Sequence, residues 1–270
     1  MKNLIPPPIF PREHGAWALL FLPMISAIIT TSDFNVYILI YAVCVFFAFI
    51  SYLPAQVILK YYTGIRRSGL NVRQAYFWLY IYIGTSFVFF SFLILHRYTL
   101  LIPIGIIGIL AFVINFVVSK SYGKTIAGDL ISVFGLSLSC PGAYYVLRGS
   151  IDGQAVSLWL LNFTFFSGSI FYVHMKIASV RHIGIRNSFR EKITLGGGTL
   201  IYYFLFFVAV GILFWKNYLS LLIFISVIPM IVQAVYGTLN LGSRIRFKRL
   251  GFILLAQSIV FCLLTAFSLR

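Results

Sequence analysis

Nine apolar runs, each close to twenty residues, follow one another with gaps too short to hold a soluble domain. The hydrocarbon core of a bilayer is about 30 Å thick, so roughly 20 apolar residues cross it as a helix. In lipid the backbone groups must be satisfied internally, which leaves helices as the form for runs of this length. The expected helices are 14–31, 36–59, 76–95, 99–118, 127–147, 155–176, 197–215, 218–236 and 250–269. The fold class is therefore all-α, a polytopic membrane helix bundle of about nine transmembrane helices. Residues 1–270 form one domain, with 1–13 as a short N-terminal segment. Charged residues make up 10% of the chain, against roughly 25% in soluble domains.

The gaps decide orientation. Assigned alternately to the two sides, they place seventeen of the twenty-one Lys and Arg on one side and four on the other. Such an excess marks the cytoplasmic side, so the N-terminus is expected inside and the C-terminus outside a cell (inner) membrane. The net charge of +16 is accounted for by this pattern and by contact with anionic lipid, not by nucleic acid. Two longer loops, 60–75 and 177–196, fall on the basic side. The proline-rich N-terminus runs into the first apolar segment without a small-residue cleavage site, so no cleavable signal peptide is expected. Cys44, Cys140 and Cys262 lie far apart inside apolar runs. They have no metal or disulfide spacing and read as buried small side chains.

Polar chemistry begins at Pro11-Arg12-Glu13-His14-Gly15-Ala16-Trp17. Charge so near hydrocarbon belongs at the headgroup level or in a protected cavity, and Trp17 suits that depth. The stretch is either a membrane anchor or a functional site at the mouth of the bundle. As a site, Arg12, Glu13 and His14 would meet the start of helix five and the end of helix six, with Trp17 beneath.

Further polar groups sit at the basic ends of helices. Gln56 and Lys60 are four apart and share a face, as do Tyr172 and Lys176, with His174 on another face. Lys120, Lys124 and Asp129 flank the turn into helix five, and Asn115 is a lone amide deep in helix four. Singly these are snorkelling or capping residues. Together they suggest a basic, anion-binding mouth. Asp129 is either a helix cap or a salt partner for Lys124 or Arg12. Pro141 and Pro229 are candidate breaks in the spans, and Gly196-Gly197-Gly198 is read as opening helix seven. No catalytic triad, zinc motif or pair of carboxylates able to present magnesium is apparent.

The run Pro11 to Ala18, with Pro23 following, resembles the opening motif of the YwiC-like family of bacterial membrane proteins. Gly128-Asp129-Leu-Ile, Pro141-Gly-Ala-Tyr-Tyr-Val146, and Phe166 to Val173 leading to Lys176 agree with it. More distantly, the chain is similar to the UbiA-type prenyltransferase superfamily. The likeness lies in nine helices, in long loops after helices two and six, in the Gly128-Asp129 start of helix five and in its Tyr144-Tyr145 end. That superfamily holds magnesium and an isoprenoid diphosphate on Asp-rich motifs at the ends of helices two and six. Here those places read Pro54-Ala-Gln-Val-Ile-Leu-Lys60 and Tyr172-Val-His-Met-Lys176, without an acid. Lys120 and Lys124 fall where the superfamily has basic residues near the diphosphate.

The resemblance implies a UbiA-like bundle with a lipid-filled central cavity that handles an isoprenoid, quinone-like or other anionic amphiphile. If it is an enzyme, it is an atypical prenyltransferase. No cofactor is expected, and magnesium only where a substrate diphosphate brings it. A small-solute or ion transporter and a non-catalytic accessory subunit are the alternatives. Oligomeric state stays open.

Overall fold

The structure is a computed structural model. It describes residues 6–11, 14–64, 71–181, 189–241 and 246–270, without the side chains of His14, Arg181 and Phe247. The described residues form ten helices: α1 His14–Thr31, α2 Val36–Tyr62, α3 Val72–Leu95, α4 Leu101–Tyr122, α5 Ile126–Ser137, α6 Ser139–Arg148, α7 Gly153–Arg181, α8 Phe189–Trp215, α9 Leu221–Leu239 and α10 Phe247–Ser268. The pair α5 and α6 forms one span, so the described residues make nine apolar helical passes. Eight are long and apolar enough to cross a membrane, and α1, apolar over Gly15–Thr31, is shorter. The protein is thus a multi-pass membrane helix bundle.

Several boundaries differ from the sequence expectation. α3 begins at Val72, four residues early, because Asn71 caps it by accepting the Arg73 N–H at 3.0 Å. α7 runs on to Arg181, and α8 begins at Phe189. Hydropathy locates the part of a helix inside hydrocarbon, whereas polar turns continue the same backbone into the headgroups. The two long loops shrink accordingly. Gly196–Gly198 lies inside α8, not at its start. Gly196 serves close packing: a Cβ there would stand 2.8 Å from Thr238 Oγ1 on α9.

The α5–α6 span breaks at Leu138. Pro141 has no N–H, so the carbonyl of Ser137 loses its helical partner. Neighbours fix the bend. Trp159 Nε1 donates to Ser137 Oγ at 3.0 Å, Ser139 Oγ to the Leu20 carbonyl at 2.7 Å, and Tyr41 Oη to the Ser139 carbonyl at 3.4 Å. Pro229, by contrast, lies within an uninterrupted α9.

Large aromatic side chains pack in the middle of the bundle. Phe165 stacks on Phe261 with centroids 3.8 Å apart, and both are buried. Beside them a polar knot ties three helices. Asn162 Nδ2 donates to Ser26 Oγ at 3.1 Å and to the Leu158 carbonyl at 2.9 Å, and Cys262 Sγ donates to Asn162 Oδ1 at 3.3 Å. Such bonds hold membrane helices together where hydrophobicity cannot. The three cysteines are free and buried. Exposed apolar side chains such as Phe87, Ile109 and Val117 are what a lipid-facing surface requires.

The two ends of the bundle differ. At one end Asn35 donates to the Val146 carbonyl, and Arg148 to that of Thr31. Arg148 also pairs with Asp33 at 3.3 Å. Asp152 accepts the N–H groups of Gln154 and Ala155, capping α7, and the Ala155 N–H holds its carboxyl below the ordinary carboxylate range. The other end gathers Lys60, Lys120, Lys124, Asp129, His174, Lys176 and Lys192; it is called the basic end below.

Candidate functional site at the basic end

Local sequence aims Asp129. Thr125 Oγ1 accepts the Gly128 N–H at 3.1 Å and caps α5, which frees Asp129 from that task. Gly128 is buried against α4, where a Cβ would lie 2.9 Å from Asn115 Oδ1. Asn115 Nδ2 in turn donates to Ser132 Oγ at 2.8 Å. With α5 fixed on α4 in this way, Asp129 faces α7. Its Oδ2 lies 2.7 Å from His174 Nε2, and the two side chains are 27% and 19% exposed. The partner is thus His174 and not Lys124, which is exposed in the preceding turn. Sequence spacing could not give this pair, because its members are 45 positions apart.

Lys176 is 6% exposed. Its Nζ donates to the Gly237 carbonyl at 2.8 Å and stands 5.7 Å from the centre of the Tyr172 ring. Lys192 donates to the Leu239 carbonyl at 2.9 Å. Both ammonium groups therefore meet the C-terminal carbonyls of α9, which lack helical partners and sit at the negative end of its dipole. Tyr172 and Lys176 share a face toward α9 while His174 points to α5, as the spacing predicts. Gly237 makes room for the tyrosine; a Cβ there would be 2.8 Å from Tyr172 Cζ.

On α2, Lys60 Nζ donates to Gln56 Oε1 at 3.3 Å. Among the described residues no hydrogen bond or ion pair joins these two to Asp129–His174 or to Lys176. Lys120 is exposed. Trp17 packs edge-on to Phe49 at 4.8 Å and donates to the Pro11 carbonyl at 3.3 Å. It belongs to a seam with α2 and does not sit at the lipid interface alone. Arg12 and Glu13 lie outside the described residues, as does the side chain of His14, so their expected meeting with helices five and six has no description here.

Two features escaped the sequence reading. One is the Asn162 knot. The other is the seat of the proline segment 6–11 on Gln74, Trp78 and Tyr82. Proline-rich backbone satisfies none of its own carbonyls, and that was the available signal.

The family model for YwiC-like proteins matches residues 10–144, half of the chain. The chain belongs to the YwiC-like family. The match takes in Trp17, Gln56, Lys60, Asn115 and Asp129 of this YwiC-like chain, and stops short of Tyr172, His174 and Lys176. Neither the curated proteins nor the solved structures give a match.

Proposed function

We propose that the protein binds an anionic amphiphile of isoprenoid or quinone-like type, its charged head at the basic end and its tail among the helices. The observation that carries this reading is the state of the charges there. Asp129 is engaged by His174, and among the described residues Lys60, Lys120 and Lys124 have no acid within ion-pair distance. Lys176 is buried with a carbonyl as its partner. Cations in this condition attract phosphate or carboxylate oxygens directly.

Magnesium in the manner of the UbiA-type superfamily does not fit these residues. The positions at Gln56–Lys60 and Tyr172–Lys176 carry no carboxylate, and among the described residues no three His, Cys, Asp or Glu side chains come together. The proposed role is therefore binding, because transfer chemistry of the UbiA type would lack its usual carboxylates at these two positions.

The test is binding of geranylgeranyl diphosphate, and separately of a menaquinone, to the purified full-length protein with and without EDTA. Binding of the diphosphate is expected to survive the chelator. Lys60→Ala, Lys124→Ala and Lys176→Met are each expected to weaken it about tenfold or more, since a hydrogen bond to a charged group is worth roughly 1.5–3 kcal/mol. Strict magnesium dependence, or indifference to all three substitutions, overturns the reading. Indifference to the substitutions would favour the transporter, for which the broken α5–α6 span is the supporting feature, or the accessory subunit.

We further propose that the basic end faces the cytoplasm of a bacterial cell, on the charge asymmetry. Single cysteines at the exposed positions Tyr62 and Tyr122 should resist an impermeant maleimide in intact cells, while those at Ile151 and Trp215 should react. The reverse pattern, or labelling of both sets alike, rules this orientation out.

A further inference from the structure

The segment Pro6–Pro11 is bound as a ligand would be. Trp78 Nε1 donates to the carbonyls of Pro6 and Pro7 at 3.2 and 2.9 Å, and Gln74 Nε2 to that of Pro7 at 2.5 Å. Tyr82 Oη donates to the Ile9 carbonyl at 3.4 Å. Ile9 itself is 4% exposed and sits among Val57, Ile58 and Ala75. Indole and phenol donors meeting proline carbonyls are the means by which proline-rich strands are recognised between proteins. Here donors and strand belong to one chain.

The seat lies where the α2–α3 hairpin has little else to hold it. The apolar cluster at its basic end consists of hairpin residues and Ile9. At the opposite end the hairpin is built into the main core. Ile38 and Leu93 pack with Tyr144 and Val146, Asn35 donates to the Val146 carbonyl, and Tyr41 reaches Ser139. Between the two ends runs a seam of large rings. Trp17 faces Phe46 and Phe49 at 5.7 and 4.8 Å, and Phe21 lies beside Trp17.

We infer that residues 6–11 are a latch. Seated, they pin the basic end of the hairpin to the start of α1, through Trp78, Gln74 and Tyr82 on one side and the Trp17–Pro11 bond on the other. Released, the hairpin swings about its contacts with α6, and the aromatic seam opens sideways to the lipid. The strand leaves by breaking a few hydrogen bonds at the edge of α3 and drawing the single side chain of Ile9 out of its cluster. The far end cannot follow without unpacking buried side chains, so the motion is a hinge, not a detachment. This inference goes beyond the ligand reading and does not rest on it.

Spin labels on the full-length protein in nanodiscs test it, with the buried native cysteines left in place. One pair, Phe77→Cys with Ile126→Cys, reports the basic end; another, Leu95→Cys with Ile151→Cys, reports the opposite end. All four positions are exposed. The double substitution Gln74→Ala, Trp78→Phe removes two of the three donor residues, leaving Tyr82, and keeps a ring at position 78. It should raise a longer-distance population at the basic end about tenfold or more, and leave the second pair unchanged. Ile9→Ser, which leaves α3 intact, should do the same. Distances that match the parent protein in either variant overturn the latch. So does lengthening of both pairs together, which would report a loosened fold.

Discussion

Gly142→Val is expected to be among the most damaging single substitutions in the chain, lowering stability by about 3 kcal/mol or more. Gly142 lies on α6 against α2, and a Cβ built there overlaps Tyr41 Oη and stands 2.7 Å from Cζ. Tyr41 has no room to retreat. It is 5% exposed, and its hydroxyl is bonded to the Ser139 carbonyl at the break of the α5–α6 span. Moving the ring disturbs both the α2–α6 seam and the bend. Tyr41→Leu should therefore relieve much of the loss, so that the double variant is more stable than the two single effects would sum to. Gly197→Ala is the control. Nothing lies within 4 Å of a Cβ at that position in α8, so it should be neutral or slightly stabilising, as alanine is the better helix former. Thermal unfolding in detergent measures all four. Equal tolerance at positions 142 and 197 would show that α2 and α6 are not packed as described.

Asn162→Asp should match it, by a different route. Asn162 is fully buried, and both of its N–H groups are used. A carboxylate there has no donor to give Ser26 or Leu158 and keeps only the weak Cys262 thiol donor, and an acid at mid-span costs about 2.5–3.5 kcal/mol or more. Asn162→Leu removes the same bonds without adding charge. Membrane interhelical hydrogen bonds average about 0.6 kcal/mol and reach about 1.7, so the leucine variant should lose only about 1–2 kcal/mol. The order wild type, Leu, Asp is thus expected at neutral pH. Acidification should narrow the gap between Leu and Asp, because a protonated acid donates again. Unfolding monitored at two pH values reads both. An aspartate variant as stable as the leucine variant would mean that water reaches the knot.

Helix number and class were legible because length and hydropathy are properties of each run alone. Pairs four residues apart, Gln56–Lys60 and Tyr172–Lys176, were legible for the same reason: helix geometry alone brings them together. What failed depended on tertiary placement. Asp129 was offered nearby cations, yet it turns to His174 because Thr125 already caps the helix and Gly128 sets its distance from α4. Lys176 reads as a ligand-seeking end group. In the fold it also completes the carbonyls of α9, a role visible only once α7 and α9 are side by side. Gly196–Gly198 looked like punctuation, and Gly196 proved to be a packing surface for Thr238.

The uneven ends of the bundle also make it an electrical object. With the gaps assigned alternately along the sequence and the acids included, one side would receive fourteen net positive charges and the other two. A membrane potential does work of about 2.3 kcal/mol per charge per 100 mV. Exchanging the sides across a membrane held at about 100 mV would therefore change the energy by roughly 25–30 kcal/mol, far more than any hydrogen bond within the fold. In the proposed orientation, with the basic end inside, the voltage that a cell maintains favours the same arrangement as the distribution of lysine and arginine. A chain inserted into a de-energised membrane loses that discrimination.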